Sequence, residues 1–72
     1  MKGYKKRMVK EFEDLRDRTN KLEKMLRKMR LGKLEFQPDC SYHLLKKQYD
    51  SMLTYMECLK ERAIIENIDL EY

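Results

Sequence analysis

Along the first half of the chain, apolar residues recur every seven positions: Met8, Leu15, Leu22 and Met29 form one row, and Phe12, Thr19 and Leu26 fill the position between. This alternation keeps a single seam on one side of an α-helix. Nearly everything around the seam is charged. Asp14 with Arg18, Asp17 with Lys21 and Glu23 with Arg27 stand one turn apart with the acid first, the favourable order for pairs on a helix. Gly32, just past Leu31, suits the left-handed residue that ends a helix. The pattern predicts a first helix over about residues 4–31.

The stretch LEFQPDCSYHLL that follows changes character. Leu34 and Phe36 are apolar in a short connection and are expected to plug the end of a bundle. Pro38 forbids helix continuation, and Asp39 or Ser41 offers a side-chain acceptor to cap the next helix. Residues 32–40 therefore read as a bend, and a second helix is expected over about 41–66. Its seam is Tyr42, Leu45, Tyr49, Met52, Met56, Leu59 and Ala63. Beside that seam runs a second strip, Leu44, Gln48, Ser51, Tyr55, Cys58, Arg62 and Ile65, which is apolar, small or mildly polar where the first helix carries charges. Lys47, Asp50, Glu57 and Glu61 form the solvated far side.

One partner helix covers one seam, so the second strip is expected to need another partner. The tail 67–72, with Ile68, Leu70 and Tyr72 following Ile64 and Ile65, is too apolar to hang free. It is expected to fold across a neighbouring subunit or back on the hairpin. The predicted fold is all-α: one domain over residues 1–72, an antiparallel two-helix hairpin that self-associates, mainly through helix two, into a dimer or higher oligomer.

Composition adds to this picture. A chain of 72 residues buries a small fraction of its surface, which makes a lone monomer marginal and oligomerisation the simplest remedy. Charged and hydrophobic residues each make up 42%, with two Gly and one Pro, so order in helices is expected and disorder is not. Two cysteines in separate segments read as free thiols in a reducing cytoplasm. No apolar run approaches the roughly 18 residues that span a bilayer, and the basic start leads into acids, not into an apolar signal core. A soluble, cytoplasmic protein with no membrane partner is expected.

Charge is unevenly divided. Residues 1–31 carry twelve Lys and Arg against five Asp and Glu, a net +7; residues 32–40 add −1 and residues 41–72 add −2.

Little in the chain suits catalysis. Cys40, His43 and Cys58 are the soft metal ligands on offer, and a structural zinc site wants four ligands with a second close pair, so a solitary imidazole and two small buried thiols are expected, with no metal and no cofactor. Cys40 with His43 lacks a third orienting group and a cleft. Gly3 and Gly32 stand alone, so no phosphate-cradling loop exists. An enzyme is not expected.

The basic clusters carry more information. Lys2, Lys5, Lys6, Arg7 and Lys10 form one patch, and Lys24, Arg27, Lys28 and Arg30 another. Interspersed acids and the lack of a recognition motif disfavour duplex nucleic acid. Small anions held between subunits fit better, with Tyr42, Tyr49 and Tyr55 stacking on bases while Arg62, Lys46 or Lys47 meets phosphate. Gln48, Tyr55 and Arg62 repeat at seven-residue spacing along one edge of helix two. They serve either as ligand contacts or as the polar rim of an interface, with Arg62 pairing to Glu66.

The layout of a charged heptad helix, a proline bend and a second helix resembles very short proteins encoded by bacteriophages, with a rhythm carried here by Leu44, Leu45, Gln48, Met52, Tyr55, Leu59, Arg62, Ile65 and Glu66. The format is similar to helical-hairpin phage sponges that sequester nucleotide signals of bacterial immunity. No motif of their ligand pockets matches residue by residue, so no binding residue carries over. The resemblance implies an oligomeric anti-defence protein that sequesters a host immune nucleotide between subunits. A protein inhibitor or adaptor that captures a host defence protein is the alternative, and a nonspecific nucleic-acid binder the second.

Overall fold

The charged heptad segment forms α1, Gly3–Arg30, and the segment after the proline forms α2, Tyr42–Ile65, in a computed structural model that describes residues 3–70. Lys2 of the basic patch and Tyr72 of the tail lie outside the described residues. The Tyr55 hydroxyl donates to the Glu11 carboxylate, and the Tyr49 hydroxyl donates to that of Glu23 at 3.4 Å. Later positions on α2 thus meet earlier positions on α1, and the helices run antiparallel. The result is an all-helical hairpin with extents of 44 × 18 × 17 Å.

Each helix end has a local cause. Gly32 adopts φ 68°, and the backbone N–H groups of Gly32 and Lys33 donate to the carbonyls of Met29 and Lys28 at 3.2 and 2.8 Å, closing α1. Arg27, Lys28 and Arg30 sit in that last turn, where cations complement the helix dipole. Of the two candidate caps for α2, Ser41 takes the position: its hydroxyl oxygen accepts from the Leu44 N–H at 3.1 Å.

The heptad seam faces inward. Met8, Phe12, Leu15, Thr19 and Leu26 of α1 are buried, as are Leu59 and Ala63 of α2. Thr19 satisfies its buried hydroxyl by donating to the Leu15 carbonyl at 2.7 Å. The main core cluster lies at the end of the hairpin away from the bend: Phe12 and Leu59, both 0% exposed, pack with Met8, Leu15 and Ala63. Toward the bend, Met29, Leu34, Tyr42 and Leu45 are only half-buried.

The tail folds back on its own hairpin. Ile68 and Leu70 are buried in the same cluster, and the Lys5 ammonium donates to the Glu66 carbonyl at 3.2 Å, tying the start of α1 to the end of α2. This return depends on Asn67, whose φ of 56° is left-handed. The N–H groups of Asn67 and Ile68 donate to the carbonyls of Ile64 and Ala63 at 3.3 and 2.8 Å, a reversal that aims Ile68 at the core. A β-branched side chain at that φ is strained. Asn67→Val is therefore expected to cost about 1–2 kcal/mol, lowering Tm by roughly 5–15 °C in a domain of this size. Asn67→Gly should hold Tm or raise it slightly; thermal unfolding followed by circular dichroism checks both.

Two expectations are corrected. Phe36 does not plug the bundle end: it is 60% exposed. Leu34 is half-buried, and Phe36 lines an open groove of about 200 Å³ with Met29, Gly32, Leu34 and Pro38. Nor are the thiols buried, since Cys40 and Cys58 are both free and exposed, Cys40 in the loop and Cys58 on the strip that α1 leaves uncovered.

Candidate functional site

Arg7, Glu11, Asp14 and Arg18 follow one another at helical spacing and form a row on α1 beside its buried seam. Tyr55 stands opposite this row on α2. Between them lies an open groove of about 710 Å³, lined also by Lys6 and Lys10, with Leu15 contributing an apolar wall. The groove is cationic in balance, with four Lys and Arg side chains against two carboxylates.

The charges are not equivalent. Lys10 donates to Asp14 at 3.0 Å, so this pair is largely self-neutralised, and the hydrogen bond followed by the carboxylate's charge holds the Lys10 ammonium pKa above its ordinary value. Glu11 is engaged by the Tyr55 hydroxyl. Lys6, Arg7 and Arg18 form no salt bridge among the described residues, which leaves three cations facing solvent around one aromatic ring. Such a groove offers charge-assisted donors for phosphate and a ring face for a base.

The opposite flank of the hairpin holds a smaller groove of about 250 Å³, lined by Glu23, Leu26, Arg30, Tyr42, Lys46 and Tyr49. Its polar groups are largely committed to one another. Lys46 donates to Asp50 at 2.6 Å and lies 5.4 Å from the centre of the Tyr49 ring, and the hydrogen bond to Asp50 raises the Lys46 pKa. Glu23 accepts from Arg27 at 2.6 Å and from Tyr49 at 3.4 Å.

The residues singled out from sequence therefore divide. Tyr55 lines the larger groove; Tyr42 and Lys46 line the smaller one. Gln48, Lys47 and Arg62 are exposed on α2 and line neither. Arg62 Nε stands 3.8 Å from Glu66 Oε2, the rim pairing weighed for it above. The sequence does not single out Arg18 as a site residue, and it presents Lys6, Arg7 and Lys10 only as a charged patch. The signal was present in the spacing 7-11-14-18, but its significance depends on which α2 residue stands across from it.

The strip of α2 is uncovered along its whole length. Leu44, Gln48, Ser51, Tyr55, Cys58, Arg62 and Ile65 are all exposed, with Leu44 at 54% and Ile65 at 83%. Since Tyr55 belongs to both, the strip borders the larger groove. Among the described residues no group of three or more His, Cys, Asp or Glu is placed to hold a metal ion, and no helix is long and apolar enough to cross a membrane.

A hairpin with an uncommitted cationic groove beside an accessible aromatic ring is suited to holding a ligand. A family model described as Sequestin matches residues 2–65 of the chain. The chain belongs to the Sequestin family. Its match takes in both helices and every residue lining the larger groove, leaving out only the start of the chain and the returning tail. The family name itself points to sequestration. No curated protein and no solved structure matches the chain.

Proposed function

We propose that this Sequestin sequesters a small phosphorylated nucleotide, holding it without converting it, and that the ligand lies in the groove between α1 and Tyr55. The observation that carries this reading is the coincidence in one groove of three unpaired cations, Lys6, Arg7 and Arg18, with an accessible aromatic ring. Arginine forks hold phosphate in a defined orientation and a tyrosine face accepts any base. In the light of the phage resemblance, the ligand is a nucleotide signal of host bacterial immunity and the setting is the host cytoplasm.

An open groove exposes a bound ligand to water, which weakens each charged contact. The bare strip alongside it supplies the remedy: hairpins associate through Leu44, Tyr55 and Ile65, and the second subunit roofs the groove. Native mass spectrometry of the protein alone and with a panel of cyclic and linear nucleotides tests assembly and stoichiometry together. A dimer or higher oligomer that retains nucleotide in fixed ratio to subunits is expected at micromolar protein. A folded monomer that retains none removes the reading.

One observation favours a second reading. Ile64, 75% exposed, extends apolar surface beyond the strip toward another side of α2. An inhibitor that captures a host defence protein would use such a surface. Assembly without nucleotide retention favours that alternative.

A further inference from the structure

The strip of α2 that α1 leaves bare is nearly the same read from either end. Leu44 and Ile65 close it with aliphatic groups, Gln48 and Arg62 come next, the small Ser51 and Cys58 follow, and Tyr55 stands at the centre. Along the edge of the strip away from α1 runs a row at seven-residue spacing, Lys47, Thr54 and Glu61, with opposite charges at equal distances from its middle. All three are exposed, and neither Lys47 nor Glu61 forms a salt bridge among the described residues.

A two-fold contact between identical chains uses the same patch on both sides, so the patch must complement itself. We propose that the occupant of the strip is the strip of a second copy, packed antiparallel about a two-fold axis at Tyr55. Ser51 of one copy then faces Cys58 of the other, Leu44 faces Ile65, and Gln48 faces Arg62. The axis brings the same edge of each strip together in reverse, so Lys47 of one copy meets Glu61 of the other, twice per dimer. The small side chains on either side of the centre leave room for two Tyr55 rings. A strip built for a foreign partner has no reason to carry complementary halves. The inference rests on the assembly within the sequestration reading and is independent of which ligand the groove holds.

Disulfide cross-linking reads the register. In a Cys40→Ser background, which removes the loop thiol, Ser51→Cys places a thiol opposite Cys58 of the other copy. Two thiols there give up two electrons and two protons to oxidised glutathione as the bond forms. Within one chain the two positions lie about 10 Å apart along the helix, and antiparallel packing sets the two copies of Cys58 about 10 Å apart as well. Both separations exceed the roughly 7 Å between Cα atoms that a disulfide spans. Cys40→Ser alone should therefore stay uncross-linked, whereas Cys40→Ser with Ser51→Cys should convert most chains to a covalent dimer whose bond maps between positions 51 and 58. Charge gives a second readout. Lys47→Glu should raise the dimer dissociation constant in sedimentation by about ten-fold, the scale of two exposed pairs reversed in sign, and adding Glu61→Lys should return it to within about three-fold. Circular dichroism verifies the fold of each variant.

An oligomer in which the bond between positions 51 and 58 does not form, or in which Cys58 cross-links to its own copy in Cys40→Ser alone, overturns the inference while assembly stands. The bond without the charge effect keeps the register and strikes the contact between Lys47 and Glu61. A folded monomer at micromolar concentration, with no cross-link in any variant, removes the inference and the assembly reading together.

Discussion

Phe12→Ala is expected to leave the hairpin largely unfolded at physiological temperature. Phe12 is fully buried, and with Leu59 it is one of the two largest side chains in that condition. Removing a buried phenylalanine ring costs about 3–5 kcal/mol through lost transfer energy and the cavity left behind. A domain this short has a total stability near the low end of roughly 5–15 kcal/mol, so one substitution removes most of it. The site has few means of relaxing. Phe12 shares its cluster with Met8, Leu15, Leu59 and Ala63, and the cluster is closed by Ile68 and Leu70 from the tail. Leu59→Ala, on the facing helix, should cost about 2–5 kcal/mol for the same reason. Leu26→Ala, buried toward the bend and outside that cluster, should cost less. Thermal unfolding monitored at a helical wavelength orders the three. If Phe12→Ala retained a transition within a few degrees of the wild type, the intramolecular core would not be what holds the helices together.

The contrast between Phe12 and Phe36 shows where sequence was sufficient and where it was not. Phe12 belongs to a heptad row, and periodicity alone decides which way a helical residue faces. Met8, Leu15, Thr19 and Leu26 were legible by that rule, and so was the bare strip of α2, because a wide apolar face opposite a narrow one must leave surface over. Gly32 was legible too, from its place just past the last periodic residue. Phe36 lies in a connection without periodicity, where burial depends on how much room the end of the hairpin offers. Cys58 shows a related limit. Its residue type favours burial, but its position on the strip places it outside the monomer's core. The sequence allows the tail two destinations because its path turns on the left-handed φ of Asn67, which a sequence permits without requiring. The groove was legible only in part. Tyr55 and the α1 cations each stand out in the sequence, yet what joins them is the register of the antiparallel pair, and that is set by packing among Phe12, Leu59 and Ala63, not by any local motif.

That register makes Tyr55 and Arg62, seven residues apart on the same strip, unequal in their expected effect on binding. Tyr55→Ala removes the ring from the groove and is expected to weaken nucleotide binding by ten-fold or more, since base stacking on an aromatic side chain is worth about 1–3 kcal/mol. The substitution also removes the hydroxyl that Glu11 accepts from, so Tyr55→Phe serves as the control. Phenylalanine keeps the stacking face and should hold affinity within about three-fold, because an exposed hydrogen bond lies at the low end of the roughly 0.5–1.5 kcal/mol such bonds contribute. Arg62 lies outside the larger groove and is paired at 3.8 Å with Glu66. Arg62→Lys, which keeps charge while losing the planar fork, should leave nucleotide affinity unchanged. Calorimetric titration of the three variants with a nucleotide that the wild type retains distinguishes the two faces. A large loss in Arg62→Lys with none in Tyr55→Ala would move the ligand from the groove to the outer edge of the strip, and with it the surface on which a second subunit packs.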